Sequence, residues 1–539
     1  MGFKKKLFAV LLCVITAVIP LAACGGGVSN SGKTEVTLWA WGDNAEINAF
    51  TQLFKEYNDN NTDEIYVNFV KKPSASYYTS LETALGGRKP PDLFYVGDSF
   101  VKRYAVDYLE DLTSYIDQSK EIDLSDIWST LMQRYRFDTD TYRYSDTASV
   151  WGLPKDIGPT VLYYNEDAFK AQGVTVISAS DDDGDGYVNY EGKQYPARGY
   201  DPDAKVFNNQ IAVTWNDNGD SDFDRLNSLL ASGTTDKASH RTRWSFYSSW
   251  WFCFGWSVGG DCVQFVETDD ANYNGGYYEF TLDDKNSNYR TNESVTINGH
   301  EYAKGEFVDY FDLSYMAEHA ADTAALVSNG KVTELPSIEA AFEYWYNLFK
   351  NGYSPKPENI SSELSLFINE QTAMFVQGRY NVVDFREGCS FAWDVAPLPK
   401  HENGVEAGHS GSMCLAMSKK CSEKDAAFKV MEYACGAKGQ DALAKTGFNV
   451  PNQISVATDP NGSFLSSKER PYNNSVFLKA AEIERGGDWT YVADDAWIEI
   501  WAPTLNGDVL NGKVTIEKMF ADYKSTVNDT LKNYTRKKS

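Results

Sequence analysis

Asp181-Asp182-Asp183-Gly184-Asp185-Gly186-Tyr187-Val188-Asn189 spaces its oxygens as a calcium loop does. Carboxylates stand at positions 1, 3 and 5, glycine at 6 for the sharp turn, a main-chain carbonyl at 7 and a side-chain oxygen at 9. Position 12 is Gly192, so the bidentate glutamate is missing, and Glu191 lies one place early. A complete EF-hand with two helices is not expected. What remains predicts a structural calcium held by Asp181, Asp183, Asp185, Tyr187, Asn189 and Glu191, with an acidic solvated turn as the alternative. The densest run of rings is W-S-F-Y-S-S-W-W-F-C-F-G-W, residues 244–256. Three other matches carry no chemistry. Gly507–Lys513 resembles a phosphate loop only superficially, because Val514 replaces the required Ser or Thr and no strand leads into it. Gly408-His409-Ser410-Gly411 lacks the spacing of a nucleophile elbow, and the five histidines include no H-E-x-x-H pair. No catalytic cofactor is expected. Paired carboxylates for glycoside hydrolysis stay open, since 76 acidic residues always offer pairs and their separation in space decides their role.

The composition bounds what these residues can serve. With 539 residues, 23% charged, 42% hydrophobic and 14% aromatic, the chain is globular rather than disordered, collagenous or coiled coil. Its 14 Trp, 34 Tyr and 29 Phe exceed what packing alone usually demands and point to buried or ligand-facing rings. A formal charge of −26 repels phosphate backbones and anionic lipid heads, so nucleic acid is not an expected partner. Residues 1–23 read as an export signal: Lys4, Lys5 and Lys6 precede an apolar stretch that ends in Leu21-Ala22-Ala23-Cys24. That order resembles a bacterial lipoprotein signal, with Cys24 lipidated as the new N-terminus. Residues 24–33 are small and polar, a tether with nothing to bury. No later apolar run is long enough to cross a bilayer, so the lipid would be the only membrane contact. The expected location is the outer face of a Gram-positive cell membrane. Six cysteines follow Cys24, and in a chain able to bury a large core they are expected mostly as free, buried thiols. Cys253 and Cys262 are the one pair worth testing as a bridge.

The elements that must position such residues alternate. Glu35–Trp41 reads as a strand, and Ile47, Phe50, Phe54 and Tyr57 recur behind it at helical spacing. Ile65–Val70 is a second strand, Tyr77–Leu85 a helix stopped by Gly86-Gly87, and Leu93–Val96 a third strand. This β-α-β-α-β opening implies a mostly parallel sheet, with ligands bound beyond the carboxyl ends of its strands. Trp41, Asp43 and Asp98 fall at those ends. Later helices are marked by Ile338–Phe349, by a segment capped by Ser422 and ended at Gly436, and by Met519, Tyr523, Val527 and Leu531. Residues 180–308 carry few helical stripes and read as inserted hairpins and long loops.

Five segments in order, V-T-L-W-A-W-G-D from Val36, P-D-L-F-Y-V-G-D-S-F from Pro91, G-L-P-K-D-I-G-P-T-V-L-Y-Y-N from Gly152, I-N-E-Q-T-A-M-F-V-Q-G-R-Y from Ile368 and W-D-V-A-P-L-P from Trp393, resemble the family 1 extracellular solute-binding proteins of ABC importers, the group that includes the maltodextrin-binding protein. The resemblance spans nearly the whole exported chain. It implies an α/β, two-lobed periplasmic-binding-protein-like (type II) fold, each lobe a mostly parallel sheet flanked by helices, with sugar held between them. Lobe one would comprise 34–156 plus 400–458, and lobe two 157–399 plus 459–539. Asp98 would accept sugar hydroxyls at a strand end, as a carboxylate does well; capping the following helix is its structural alternative. Tyr380, two residues after Gly378, would be a stacking platform, because the C–H face of a pyranose is apolar while its rim is polar. Trp41, Asp43, Trp250, Trp251, Trp497 and Trp501 fall in other contact regions of the family, with one of Trp250 and Trp251 expected to be buried. His409 stands where the family usually has a Gly-rich turn, and departs from it. The implied function is that of a monomeric, non-enzymatic, oligosaccharide-binding lipoprotein serving an ABC permease. The alternatives are a lipid-anchored glycoside hydrolase and a surface glycan-capture or adhesion protein without a transporter.

Overall fold

The computed structural model describes residues 32–181, 183–485 and 492–537. The export signal, Cys24 and most of the tether lie outside the described residues, as does Asp182. Strand β1 (Thr34–Ala40) turns Val36, Leu38 and Ala40 into the core and alternate residues outward. Asp43 starts α1 (Asn44–Asn60) by accepting a hydrogen bond from the Glu46 amide at 2.8 Å, and Ile47, Phe50, Phe54 and Tyr57 form its buried face. β2 (Ile65–Lys71) pairs in parallel with β1 along its full length. α2 (Tyr77–Gly86) and the buried β3 (Leu93–Gly97) follow, then α3 (Asp98–Tyr108). Side chains of Leu and Phe size fully buried in this way stabilise a fold by roughly 1.5–3 kcal/mol each.

β4 (Leu153–Pro154) lies at the edge of this first sheet, and three residues later β5 (Gly158–Asn165) lies at the heart of a second. β6 (Tyr187–Tyr190) and β7 (Lys193–Pro196) form a hairpin, β8 (Trp244–Tyr247) rejoins the second sheet, and β9 (Val263–Glu267) and β10 (Gly276–Phe280) form another hairpin. α4 (Ile338–Lys350) precedes β11 (Thr372–Gly378) and β12 (Trp393–Ala396). β13 (Ser410–Gly411) pairs with β5, and after one residue β14 (Met413–Met417) is back in the first sheet. α5 (Lys424–Cys435) and α6 (Ile516–Tyr534) follow. The first sheet runs β2-β1-β3-β14-β4 and the second β8-β11-β5-β12, so the chain passes between two lobes at 155–157 and again at Ser412.

Three features differ from the sequence reading. Within the two main sheets parallel pairing is confined to β2-β1-β3 and β8-β11; strands that arrive after a crossing enter from the opposite direction and pair antiparallel. The 180–308 insertion is not continuous, because the buried Trp244–Tyr247 is the edge strand of the second sheet, paired with β11. Its later part builds a small core of its own from Tyr289, Ile297, Tyr302, Leu313, Met316 and Val332. Ser422 does not cap α5, which begins at Lys424 after Glu423. The six described cysteines are free, Cys253 and Cys262 included, and all but Cys389 are buried. No described helix is long and apolar enough to cross a membrane.

Candidate functional site

At the end of β11 the chain turns at Gly378 and lays the Tyr380 ring back over the strand. A Cβ on Gly378 would stand 2.2 Å from that ring, so a side chain there would displace it. The Tyr380 hydroxyl donates to Gln377 Oε1 at 2.6 Å, and the Gly378 amide donates to the same oxygen at 3.0 Å. Burial pushes the phenol up to about 12, which keeps it a donor at neutral pH. The ring borders a cavity of ≈ 210 Å³ whose wall includes Trp250, Phe252, Glu363, Gln377 and His409. Trp250 and Phe252 stack at 5.4 Å and 13°, and Phe252 stacks in turn on Trp256 at 4.8 Å and 11°. Glu363 accepts from the Tyr247 hydroxyl at 2.7 Å. His409 is pushed down to about 3 by burial, reinforced by the Arg134 charge, so its imidazole is neutral at ordinary pH. Flat rings beside a few convergent polar groups, with no cation among the described wall residues, suit a neutral ligand that has both apolar faces and hydroxyls.

The lobe-one side is ionic. Asp98 is the first residue of α3, where Gly97 occupies the capping position, so capping is not its role. One of its oxygens accepts from the Ser99 amide at 3.1 Å, and the other faces Arg134 Nη1 at 3.5 Å. Arg134 also donates to the Ser410 carbonyl at 2.8 Å and pairs through Nη2 with Glu484. Thr130 and the Ser410 amide donate to the Glu484 carboxylate at 2.9 and 3.3 Å. Burial pushes the Glu484 carboxyl up, against the opposing pull of Arg134. Asp495, brought from the second lobe, is likewise raised, by burial first and then by the Asp98 charge, and Ser99 hydrogen-bonds to it. The network therefore joins α3, the crossing at β13 and two late lobe-two segments around the candidate carboxylate.

The remaining candidates separate. Trp41 is half-buried against Tyr77 and Tyr78, and Tyr78 stacks on Phe100 at 3.7 Å. Asp43 is exposed and engaged as the α1 cap, although its charge reaches Tyr380. Trp250 is 45% exposed and Trp251 only 1%. The cause is not strand alternation, because the chain has already left β8 at Tyr247. Trp251 packs on Phe342, Trp345 and Trp501. Trp497 and Trp501 do meet each other, at 6.4 Å, but both are buried in the core and offer no open face. Trp497 and Trp501 are thus corrected from ligand contacts to packing, while Trp251, packed in the core, still lines a cavity with Phe349 and Leu510. Helical spacing places residues on one face without saying what that face meets.

The acidic loop precedes the β6–β7 hairpin and has no flanking helices. Glu191 and Gly192, with φ of 48° and 77°, are the hairpin's two-residue turn. Glu191 is therefore at the far end of β6, about 13 Å along the strand from Tyr187 at ~3.3 Å per residue, and cannot complete a ligand set with Asp181. Asp181 Oδ2 accepts from the Gly186 amide and Asp185 Oδ1 from the Tyr187 amide, while Asp181 Oδ1 is buried without a partner. Among the described residues no group of three or more His, Cys, Asp or Glu converges to hold a metal. Residues that sequence reasoning missed are Glu363, Gln377, Phe252, Arg134 and Glu484. Phe252 lay inside the aromatic run and Gln377 next to Gly378, so both were within reach; Glu363 and Glu484 carry no local signal.

Two family models, both described as bacterial extracellular solute-binding protein, match residues 41–240 and 280–468. Over 172 residues the chain is 28% identical to a curated arabinooligosaccharide-binding protein of Bacillus subtilis (strain 168), a match that takes in 31% of this chain and 36% of that relative. An ABC substrate-binding protein of Listeria monocytogenes, solved with cycloalternan, superposes with a TM-score of 0.61 at 18% identity, covering 92% of this chain and 99% of the other. A cyclic α-maltosyl-1,6-maltose binding protein of Arthrobacter globiformis gives 0.58 at 16% identity, over 93% and 100%. The two sheets joined by crossing segments are the two lobes of that fold. Residues 41–240 and 280–468, together well over half of the chain, are matched by models of one description, so the chain belongs to the bacterial extracellular solute-binding proteins.

Proposed function

We propose that this chain captures an oligosaccharide between its lobes and hands it, with no bond broken, to an ABC permease. The observation that carries the reading is the Tyr380 platform beside Trp250, Gln377, Glu363 and neutral His409 at the lobe boundary. A pyranose needs this combination, a flat apolar surface with polar groups at its rim. The sugar ligands named for the Bacillus, Listeria and Arthrobacter proteins support the same reading. Among the described residues Glu363 is the one carboxylate lining this cavity, whereas glycoside hydrolysis uses two, which favours binding over cleavage. Lipidation at Cys24 would keep a monomeric protein at the outer face of the membrane. Calorimetry against plant and starch-derived oligosaccharides tests the reading: saturable binding without turnover is expected, and no binding, or hydrolysis of any of them, overturns it. Co-purification of the lipidated protein with a permease from detergent-solubilised membranes separates transport from adhesion.

Calcium uptake by Asp181, Asp183 and Asp185 belongs to the same proposal. It is supported by the unpartnered Asp181 oxygen and requires the loop to contract around the ion. Calcium-dependent heat in a titration, with a rise in melting temperature, is the expected result; neither would appear in an acidic solvated turn.

A further inference from the structure

A second cavity of ≈ 390 Å³ adjoins the first. Ser249, Trp250 and Glu363 line both, so the exposed Trp250 indole belongs to a shared wall. The chemistry beyond that wall is different. Trp251, Phe349, Ile360, Ala502, Leu505 and Leu510 line the second cavity, and its own added polar groups are Asn506, the Trp251 indole N–H and the Tyr247 hydroxyl, which is engaged with Glu363. Among the described residues no lysine, arginine or histidine lines it. A sugar ring carries a hydroxyl on most of its carbons, and each one buried without a partner costs about 1–3 kcal/mol, so aliphatic walls penalise a further sugar unit. An anionic group would meet Glu363 and no cation. A flat or branched group without hydroxyls and without charge would bury apolar area on both sides at no such cost.

We propose that this second cavity receives an uncharged apolar substituent, an ester-linked acyl or aryl group or an aryl aglycone, carried by the sugar seated against Tyr380 and Trp250. The protein would then select decorated oligosaccharides over bare ones. This rests on the capture reading above and adds to it a ligand class that the polar cavity alone does not specify.

Calorimetry on the intact exported chain tests it, using the tightest-binding oligosaccharide of the panel, its benzoate ester and its 4-nitrophenyl glycoside. At least one decorated form is expected to bind about tenfold more tightly than the parent. Ile360→Ser and Ala502→Asp, which lie only in the second cavity, should each abolish that gain and leave the parent's affinity unchanged. The proposal is overturned when neither decorated form binds more tightly, or when the gain survives both variants. If no undecorated sugar binds, the capture reading fails separately, and benzyl alcohol then tests the cavity by itself. Uptake lost in Ile360→Ser upholds the apolar site, and no uptake by the wild-type protein removes it.

Discussion

One wall of the cleft, from lobe two, is made of rings with polar tips, whereas the other, built around Asp98 and Arg134 of lobe one, is made of charges already engaged with one another and with acids that lobe two supplies. Tyr380, Trp250 and Phe252 supply area, and the polar groups beside them are neutral apart from Glu363. Across from them Asp98 shares Arg134 with the buried Glu484, and Asp495 adds a second acid. The difference separates two kinds of energy. Ring contact scales with buried area and tolerates small shifts of the ligand, while a carboxylate fixes the position of a hydroxyl only where its neighbours hold it.

The largest test of that contrast removes a charge. Glu484→Gln takes from the buried Arg134 the carboxylate that pairs with its Nη2 and should cost about 3–5 kcal/mol of stability by chemical denaturation. A loss below ~1 kcal/mol would show that the guanidinium is satisfied without Glu484. Trp251→Ala should cost a similar 3–5 kcal/mol through the cavity it leaves, whereas Trp250→Ala should weaken sugar binding and barely move the melting temperature. Equal stability losses from the two would erase the distinction between packing and platform. Tyr380→Ala should weaken binding by about 10- to 100-fold in calorimetry, and Tyr380→Phe by much less because the ring remains. Asp98→Asn should weaken it by about tenfold. A larger loss than that of Tyr380→Ala would reverse the ranking of the walls.

The smallest effect concerns pH. His409 stays neutral in the folded protein down to about 3, while the unfolded chain takes up a proton near 6.5. Its contribution to stability is therefore present above 6.5 and is lost progressively as pH falls toward 3. His409→Gln should flatten that part of the melting-temperature profile, and an unchanged slope would mean that the imidazole is solvated.

Local pattern was enough to read the β-α-β-α-β opening, because each strand and helix there buries a face that repeats at its own period. The expectation of free thiols came from chain size, and Tyr380 was singled out by the family resemblance. Local pattern failed where a partner is distant in sequence. Arg134 and Glu484 are 350 residues apart, and nothing near either one announces the other. Trp244–Tyr247 reads locally as part of an aromatic insertion, yet it becomes an edge strand only because β11 lies beside it. Trp497 and Trp501 show the same limit from the other side: their spacing was legible, but the core they enter is assembled from residues hundreds of positions earlier. In the acidic loop, oxygen spacing matched a metal site while the two-residue turn at Glu191-Gly192 drew one proposed ligand away.

The missing side chain at Gly378 has a thermodynamic consequence for every ligand that reaches the cleft. With the Tyr380 ring resting in that gap and its hydroxyl tied to Gln377, the ring has few rotamers left to lose. The entropy of ordering the platform is given up when the protein folds, so it is not subtracted again from the affinity for sugar.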